Sequence, residues 1–413
     1  MTGSPTGGYA GPAVDPAVPP APIRDASVER PARALDRLGI VLAVLIALAL
    51  IASPFVTYRA NRIVSGEARS LFEALPPFLA AGLALVSATV ALVAVLVRHR
   101  GMRLAAAILG LVTLFPVVGA TAGFLTPEGN TFARISPATG FWLLVFAFAL
   151  LCADSLSRLK PSPWLRLLAL ALAAGAIAAL LLSGSWNGLS LLKEYAARSD
   201  SFWREGRQHV LLAIGSLVAA VVVGLPVGML CHRAPAIRGA ILQVLSIIQT
   251  IPSIALFGIL MVPLGLLAAN VPAAAAIGIR GIGAAPAFIA LFLYALLPVV
   301  ANTVVGLDGV QPSVVDAARG MGMSRRQRLF EIELPLAFPI ILTGIRIVLV
   351  QNLGLATIAA LIGGGGFGTF IFQGVGQTAM DLVLLGAIPT VALSFAAAVI
   401  LDAVIDLTKG SRA

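Results

Sequence analysis

Charge is what this 413-residue chain has least of: only 11% of it is Asp, Glu, Lys or Arg. A soluble domain carries about 25%, so a water-soluble globular protein is excluded and a polytopic membrane protein is indicated. Cysteine is almost missing. Cys152 and Cys231 each end an apolar run with no metal-ligand spacing, which excludes a disulfide framework and leaves two packing residues. The three histidines, His99, His209 and His232, each sit near an expected membrane boundary as interfacial residues. No His/Cys ligand cluster, nucleophile–base pair or Walker A motif occurs, so neither catalytic nor metal-binding residues are expected. Tyrosine and tryptophan number four each, leaving the apolar mass to Ala, Leu, Val, Ile and Phe. The formal charge of +10 then belongs to basic loops at a membrane surface, and nucleic acid is not an expected partner.

What is present is a series of ten apolar segments, each near the ~20 residues that cross a bilayer. They fall at about 38–56, 75–97, 104–124, 137–153, 164–183, 209–231, 240–268, 285–306, 338–361 and 383–405. The fold class expected is therefore all-α, with about ten transmembrane helices. Residues 1–36 are Pro/Ala/Gly-rich without periodicity and read as a disordered cytoplasmic tail, not as a secretory signal, because the first apolar run begins too late and no cleavage site follows it. With that tail inside, 18 Lys/Arg fall on the inner side and nine on the outer, which places both termini in the cytoplasm. The organisation expected is an accessory five-helix region at 37–184, an extracytoplasmic linker at 185–208, a working core at 209–406 and a cytoplasmic tail at 407–413.

The most informative stretch interrupts the core as a basic, polar loop at 308–337, with Arg319, Arg325, Arg326 and Arg328 keeping it out of lipid. It reads Asp316-Ala317-Ala318, three residues, Gly322, nine residues, then Ile332-x-Leu334-Pro335. Its own apolar residues recur at helical spacing, so a short helix–Gly–helix unit that another protein can grip is expected. Here the chain resembles the permease subunits of binding-protein-dependent ABC importers, whose coupling loop reads Glu-Ala-Ala-x3-Gly-x9-Ile-x-Leu-Pro. Asp316 is the one departure from that pattern. The resemblance covers roughly 205–406 and implies a type I ABC importer permease core. Gln249-Thr250-Ile251-Pro252-Ser253, Tyr294 through Pro298, Gly344-Ile345-Arg346 and Ala360 through Gly368 look like the osmoprotectant branch, which handles glycine betaine, carnitine and choline. Phe367 stands where that branch usually has Leu. The extra front helices resemble a longer variant found in that branch.

The resemblance implies a set of partners. They are cytosolic ATP-binding subunits, an extracytoplasmic substrate-binding protein, and a second copy or shorter sister permease, in the bilayer of a bacterial inner membrane. ATP belongs to the partner, no cofactor is expected in this chain, and it is not expected to be an enzyme. Two other functions stay open: an ABC permease for another small solute such as an amino acid or organic sulfonate, and an ion-coupled secondary transporter. The second needs carboxylates at the midplane, where none is found.

Within the core, Pro252 falls near the midplane and must interrupt its helix, with Gln249, Thr250 and Ser253 beside it. Tyr294, Gln351 and Asn352 fall at similar depth on two further helices, giving a candidate pathway or, equally, interhelical glue. The Tyr294 ring could face a quaternary ammonium or simply pack. Arg346 has three open placements: snorkelling to the surface, pairing with an acid, or lining the path. Gly363 through Gly368 lacks the Lys-Ser/Thr of a phosphate loop and reads instead as a tight backbone corner.

Overall fold

Long apolar runs satisfy their backbone hydrogen bonds in lipid only as helices, and helices dominate the computed structural model, which describes residue 3, residues 36–61 and residues 64–410. The tail expected over 1–36 lies outside the described residues apart from Gly3 and Asp36. So do the last three residues of the expected C-terminal tail. Among the described residues nine helices are long and apolar enough to cross a membrane, and a further apolar helix at Arg37–Ile51 is shorter.

That shorter helix, α1 (Arg37–Ile51), leads into strands β1 (Val56–Arg59) and β2 (Glu67–Arg69) and the single turn α2 (Leu71–Ala74). Then come α3 (Pro77–Leu96), α4 (Arg100–Leu125), strand β3 (Arg134–Pro137) and α5 (Thr139–Leu159). The three strands form an antiparallel sheet in the order β2-β1-β3, with Val56 opposite both Arg69 and Pro137. An all-α reading overlooks this sheet, because its strands of three or four residues lie in polar breaks too short to show a period. The long helices close a ring in which α1 meets α3 and α5, and α4 meets the same two. Small residues set the spacing. A Cβ on Gly39 would lie 2.0 Å from the Ala94 carbonyl oxygen, and one on Gly110 would lie 2.8 Å from the Phe148 ring.

Opposite the sheet, the ring is tied by charge. Asp36 caps α1, its Oδ1 accepting from the Leu38 N–H at 3.0 Å, and its other oxygen pairs with Arg103. The Arg103 side chain is only 6% exposed, and Asp154 of α5 lies 3.8 Å from the same guanidinium. Burial by itself pushes the Asp36 carboxyl up. The Arg103 guanidinium and two backbone N–H donors outweigh it and hold the carboxyl below its ordinary range.

The chain continues with α6 (Pro163–Leu182), α7 (Ser190–Ala197) and α8 (Ser199–Arg233). Two expectations are corrected here. Helix α6 has no buried residue and packs principally on the last helix of the chain, with Arg166 2.8 Å from Asp406. The expected five-helix front is therefore a ring of four plus one helix leaning on the core. The expected linker at 185–208 is mostly helical, since α7 and the first ten residues of α8 fill it. Its polar residues mark helix that extends past the apolar stretch, which hydropathy alone reads as loop. Trp186 pins the remaining loop to the ring, its indole N–H donating to the Phe115 carbonyl at 2.8 Å.

The core adds α9 (Pro235–Thr250), α10 (Ser253–Asn270), α11 (Pro272–Ala276), α12 (Ala284–Asp308), α13 (Pro312–Gly320), α14 (Arg325–Gln327), α15 (Leu334–Leu355), α16 (Gly368–Gly376) and α17 (Met380–Gly410). The segment expected as one helix at 240–268 is thus two, and α17 runs into the tail expected from residue 407. Helix α12 lies at the centre and packs on α8, α9, α10 and α15. Close contacts again use glycine: Cβ atoms on Gly224, Gly228 and Gly344 would meet Val299, Thr303 and Asn302 at 2.8, 2.6 and 2.7 Å.

Candidate functional site

The polar unit at 312–335 is built by two capping devices placed back to back. Pro312 opens α13, and Gly322 ends it in the left-handed region at φ +82°. The Met323 N–H reaches back to the Ala318 carbonyl at 3.2 Å and the Gly322 N–H to that of Arg319 at 3.0 Å. This is the hydrogen-bond pair that lets a glycine stop a helix without orphaning its carbonyls. Two residues on, Ser324 starts the next helix. Its hydroxyl accepts from the Gln327 N–H at 3.3 Å, while Gln327 Oε1 accepts from the Ser324 N–H at 2.9 Å. That Ser-x-x-Gln capping box was legible in the sequence and overlooked there.

The unit rests on the membrane helices through the buried Leu329, which clusters with Leu307, Ala337 and Ile341, while Ala318 is buried on α13, which packs on the turn at 328–333. Asp316 and Ala317 point away from the protein, with Asp316 held 3.2 Å from Arg319 on the helix surface. Of the two alanines, therefore, only Ala317 is open to a partner, and Ala318 is used to seat the helix. Ile332, Leu334 and Pro335 are half-buried. Leu334-Pro335 does not interrupt the helix that follows the unit. Helix runs from Arg325 to Leu355, passing through a π-helical turn at Arg328–Glu333. Proline cannot supply the next i→i−4 bond, and the preceding Leu334 N–H bonds instead to the Leu329 carbonyl five residues back.

The break at Ile251-Pro252 is real, and its backbone is met by a neighbour. The Tyr294 hydroxyl of α12 donates to the Ile251 carbonyl at 2.5 Å, and the Gln249 amide of α9 donates to the Tyr294 carbonyl at 2.7 Å. Tyr294 is buried, so its ring presents no face to a quaternary ammonium in this conformation. Asn352 is likewise fully buried, donating to the Ser216 hydroxyl at 2.9 Å and tying α15 to α8. Three of the seven expected pathway residues, Gln249, Tyr294 and Asn352, are thus helix-to-helix ties. Thr250 and Pro252 are exposed and Ser253, Gln249 and Gln351 partly so. Around them α9 and α10 present a broad apolar surface that includes Val244, Ile247, Ile254 and Val262.

Three polar features frame this centre. Where α12 gives way to the polar unit, Asp308 lies 2.6 Å from both His232 of α8 and Arg238 of α9. Arg346 takes the second of its three open placements, pairing with Asp402 of α17. At the other end the glycine corner forms as expected: Gly363, Gly365 and Gly366 all have positive φ. Glu205 of α8 accepts from the Gly366 N–H at 2.8 Å and the Gln208 amide donates to the Gly364 carbonyl at 3.1 Å. His209, expected at an interface, is fully buried there against the Phe367 ring, 5.2 Å away. Asp308 and Asp402 gave little sign in the sequence, since an acid ending an apolar run reads only as a boundary.

Two stretches of the chain match two different families of known proteins. Residues 36–192 match the family described as ABC transporter permease YehY, N-terminal domain. Residues 220–409 match the family described as binding-protein-dependent transport system inner membrane component. The chain is similar to the carnitine transport permease protein OpuCB of Listeria monocytogenes, at 36% identity over 45% of this chain and 78% of that protein. It is also similar to the osmoprotectant import permease protein OsmW of Salmonella typhimurium, at 40% identity over 44% of this chain and 79% of that one. Among solved structures, a chain of the inward-facing MetNI methionine ABC transporter aligns with 50% of this chain and 96% of its own, at 20% identity and a TM-score of 0.42. With relatives of that identity matched over most of their own length, the chain belongs to the binding-protein-dependent transport-system inner-membrane components, the multi-pass permease subunits of ABC importers.

Proposed function

We propose that this permease imports an osmoprotectant of the glycine betaine, carnitine or choline type. The observation that carries the reading is the α13–Gly322–α14 unit, whose outward residues form an exposed surface on a seat fixed to α12 and α15. Cytosolic ATP-binding subunits grip that surface through Asp316 and Ala317, and the seated residues Ala318, Ile332, Leu334 and Pro335 pass the displacement to α15. In this reading both termini and the unit face the cytoplasm, as the distribution of Lys and Arg supports. The solute class is supported by the relatives' names, which include a glycine betaine/carnitine/choline transport system permease of Bacillus subtilis at 33% identity.

A substrate-binding protein delivers solute at the sheet end. The path runs past Thr250, Pro252, Ser253 and Gln351, and a second permease, either another copy or a shorter sister, closes it against the apolar face of α9 and α10. Closure of the ATPase pair moves the unit, and α9 and α10 swing about the Ile251-Pro252 break while Tyr294 and Gln249 hold its backbone satisfied. Two packings of the core, with opposite access, are then each favoured by one nucleotide state. ATP is spent by the partner, and this chain supplies no cofactor.

Reconstitution with the ATP-binding and substrate-binding proteins tests the reading. Glycine betaine, choline or carnitine is expected to stimulate ATP hydrolysis and uptake. Silence with all three and a response to an amino acid or organic sulfonate would reassign the solute. Uptake driven by an ion gradient without ATP would overturn the mechanism itself.

A further inference from the structure

At the sheet end, the front ring and the core enclose a cleft of about 260 Å³, lined by Arg59 of β1, Arg134 of β3, Glu194 of α7, Thr378 and Asp381. The cleft is polar and carries unmet hydrogen-bonding capacity. Among the described residues, Arg59 Nε, Arg134 Nη1 and Asp381 Oδ1 are all buried without a hydrogen-bond partner. Two of the three have a visible reason. The Arg134 guanidinium sits 3.6 Å from Glu194, close enough for ionic attraction and too far for a hydrogen bond. Asp381, on the cleft wall, accepts from the Ser136 hydroxyl at 2.8 Å through Oδ2, leaving Oδ1 unpaired among the described residues.

The surrounding charge is unequal. Glu194 is bracketed by Arg134 and by Arg198 at 3.5 Å. Lys193 lies alongside, donating to the Ala133 carbonyl at 2.8 Å, and burial followed by the Arg134 charge pushes its ammonium pKa down. Among the described residues, Arg59, Lys193, Arg134 and Arg198 thus lie around two acids, Glu194 and Asp381. Thr378 on the rim is held in the left-handed region at φ 51°, an unfavourable backbone for a β-branched residue and of the kind found where structure is bent to a site.

We propose that this cleft is a binding site for a small zwitterionic solute bearing a carboxylate and a cationic nitrogen, separate from the transport path. The orphan Arg59 and Arg134 donors take the carboxylate, and the free Asp381 oxygen faces the cationic nitrogen. A cavity of this size is smaller than the ~300–1,000 Å³ of drug-sized pockets, so the ligand is compact. Because the cleft is walled by β1 and β3 on one side and the start of α17 on the other, occupancy fastens the front ring to a core helix that carries the Asp402 partner of Arg346. The inference does not depend on which solute the core transports.

A local readout separates this site from the path. In full-length protein with Cys152→Ser and Cys231→Ala, Ser65→Cys places one thiol on the cleft wall. Glycine betaine is the zwitterionic probe, choline the cation alone and propionate the carboxylate alone. Glycine betaine is expected to slow thiol labelling saturably, with choline and propionate needing about tenfold or more higher concentration, since each forfeits one charge-assisted contact. Asp381→Asn should bring glycine betaine down to the level of propionate, and Arg59→Gln to that of choline. The two substitutions lie on different elements, so failure of one to fold leaves the other informative. Equal protection by all three probes, no protection by any, as for a cleft holding water only, or protection unmoved by both substitutions would each overturn the proposal.

Discussion

The front ring and the core are made from the same apolar alphabet and built for opposite ends. In the front, α1, α3 and α5 carry no internal proline and α4 carries one, Pro116. In the core, α8, α10, α12, α15 and α17 each carry one, α9 stops before Pro252, and a π-helical turn precedes Pro335. Front helices are sealed at one end by a buried ion cluster and at the other by a sheet. Core helices are joined by exposed short elements and single polar ties such as Tyr294–Ile251 and Arg346–Asp402. Interruptions in a membrane helix persist only where neighbours satisfy the freed backbone. Their concentration in one half marks that half as the one with alternative packings, and the other as its static support.

The largest test of that contrast lies in the front. Arg103→Met leaves Asp36 and Asp154 facing each other without their shared cation, with all three side chains less than a third exposed. Removing one partner of a buried pair costs about 3–5 kcal/mol, so the melting temperature should fall by more than for any core substitution discussed below. Transport per folded molecule should stay at the wild-type level. A proportional loss of transport in molecules that remain folded would put the front ring inside the moving machinery and break the comparison.

Tyr294→Phe reverses the pattern. The change keeps the ring and removes only the hydroxyl that meets the Ile251 carbonyl, an unsatisfied group worth about 1–3 kcal/mol. Because that carbonyl sits at the helix break, the expected loss appears mainly in uptake and in solute-stimulated ATP hydrolysis, with a smaller shift in melting temperature. Unchanged transport would mean that α9 and α10 move as a rigid piece and that the break is not a hinge.

How far each half could be read beforehand follows from the same contrast. Hydropathy located nearly every long helix, because lipid demands about twenty apolar residues whatever their partners. It could not tell that α6 leans on α17, since a helix with no buried residue looks in sequence like any other span. The Asp316–Pro335 spacing was legible because a glycine at φ +82° and the caps flanking it require particular residues at particular offsets. Tyr294 and Asn352 read in the sequence as path candidates, and the structure uses both as ties between helices. Depth comes from counting residues, whereas the direction a side chain faces depends on which helix lies next to it. The cleft at Asp381 was invisible for the stronger reason that its walls come from β1, β3, α7 and α17, brought together across more than three hundred residues.

Gly322→Ala is a smaller perturbation with a sharper meaning. A Cβ at Gly322 meets no atom within 4 Å, so only the left-handed backbone opposes it, at about 1–2 kcal/mol. The membrane helices lie beyond its reach, and thermal unfolding should barely change. Co-purification of the ATP-binding subunits and uptake should both weaken, and equal binding with equal uptake would dissociate the turn from ATPase coupling.

The smallest effect is a titration that belongs to the front alone. The Asp36 carboxyl is held below the ordinary carboxylate range, so its ion pair contributes fully above that range and is lost as pH falls through the lowered value. Acidification below about pH 4 should therefore lower the unfolding temperature of the ring, read through Trp142 and Trp186, in wild type more than in Asp36→Asn. Asp36→Asn should already sit lower at neutral pH, and the two curves should converge in acid. The indoles on the core side, Trp164 and Trp203, should report no difference between the two proteins across the same range. Divergence there would mean that the ion cluster is felt in the core, and that the front ring supports it mechanically as well as standing beside it.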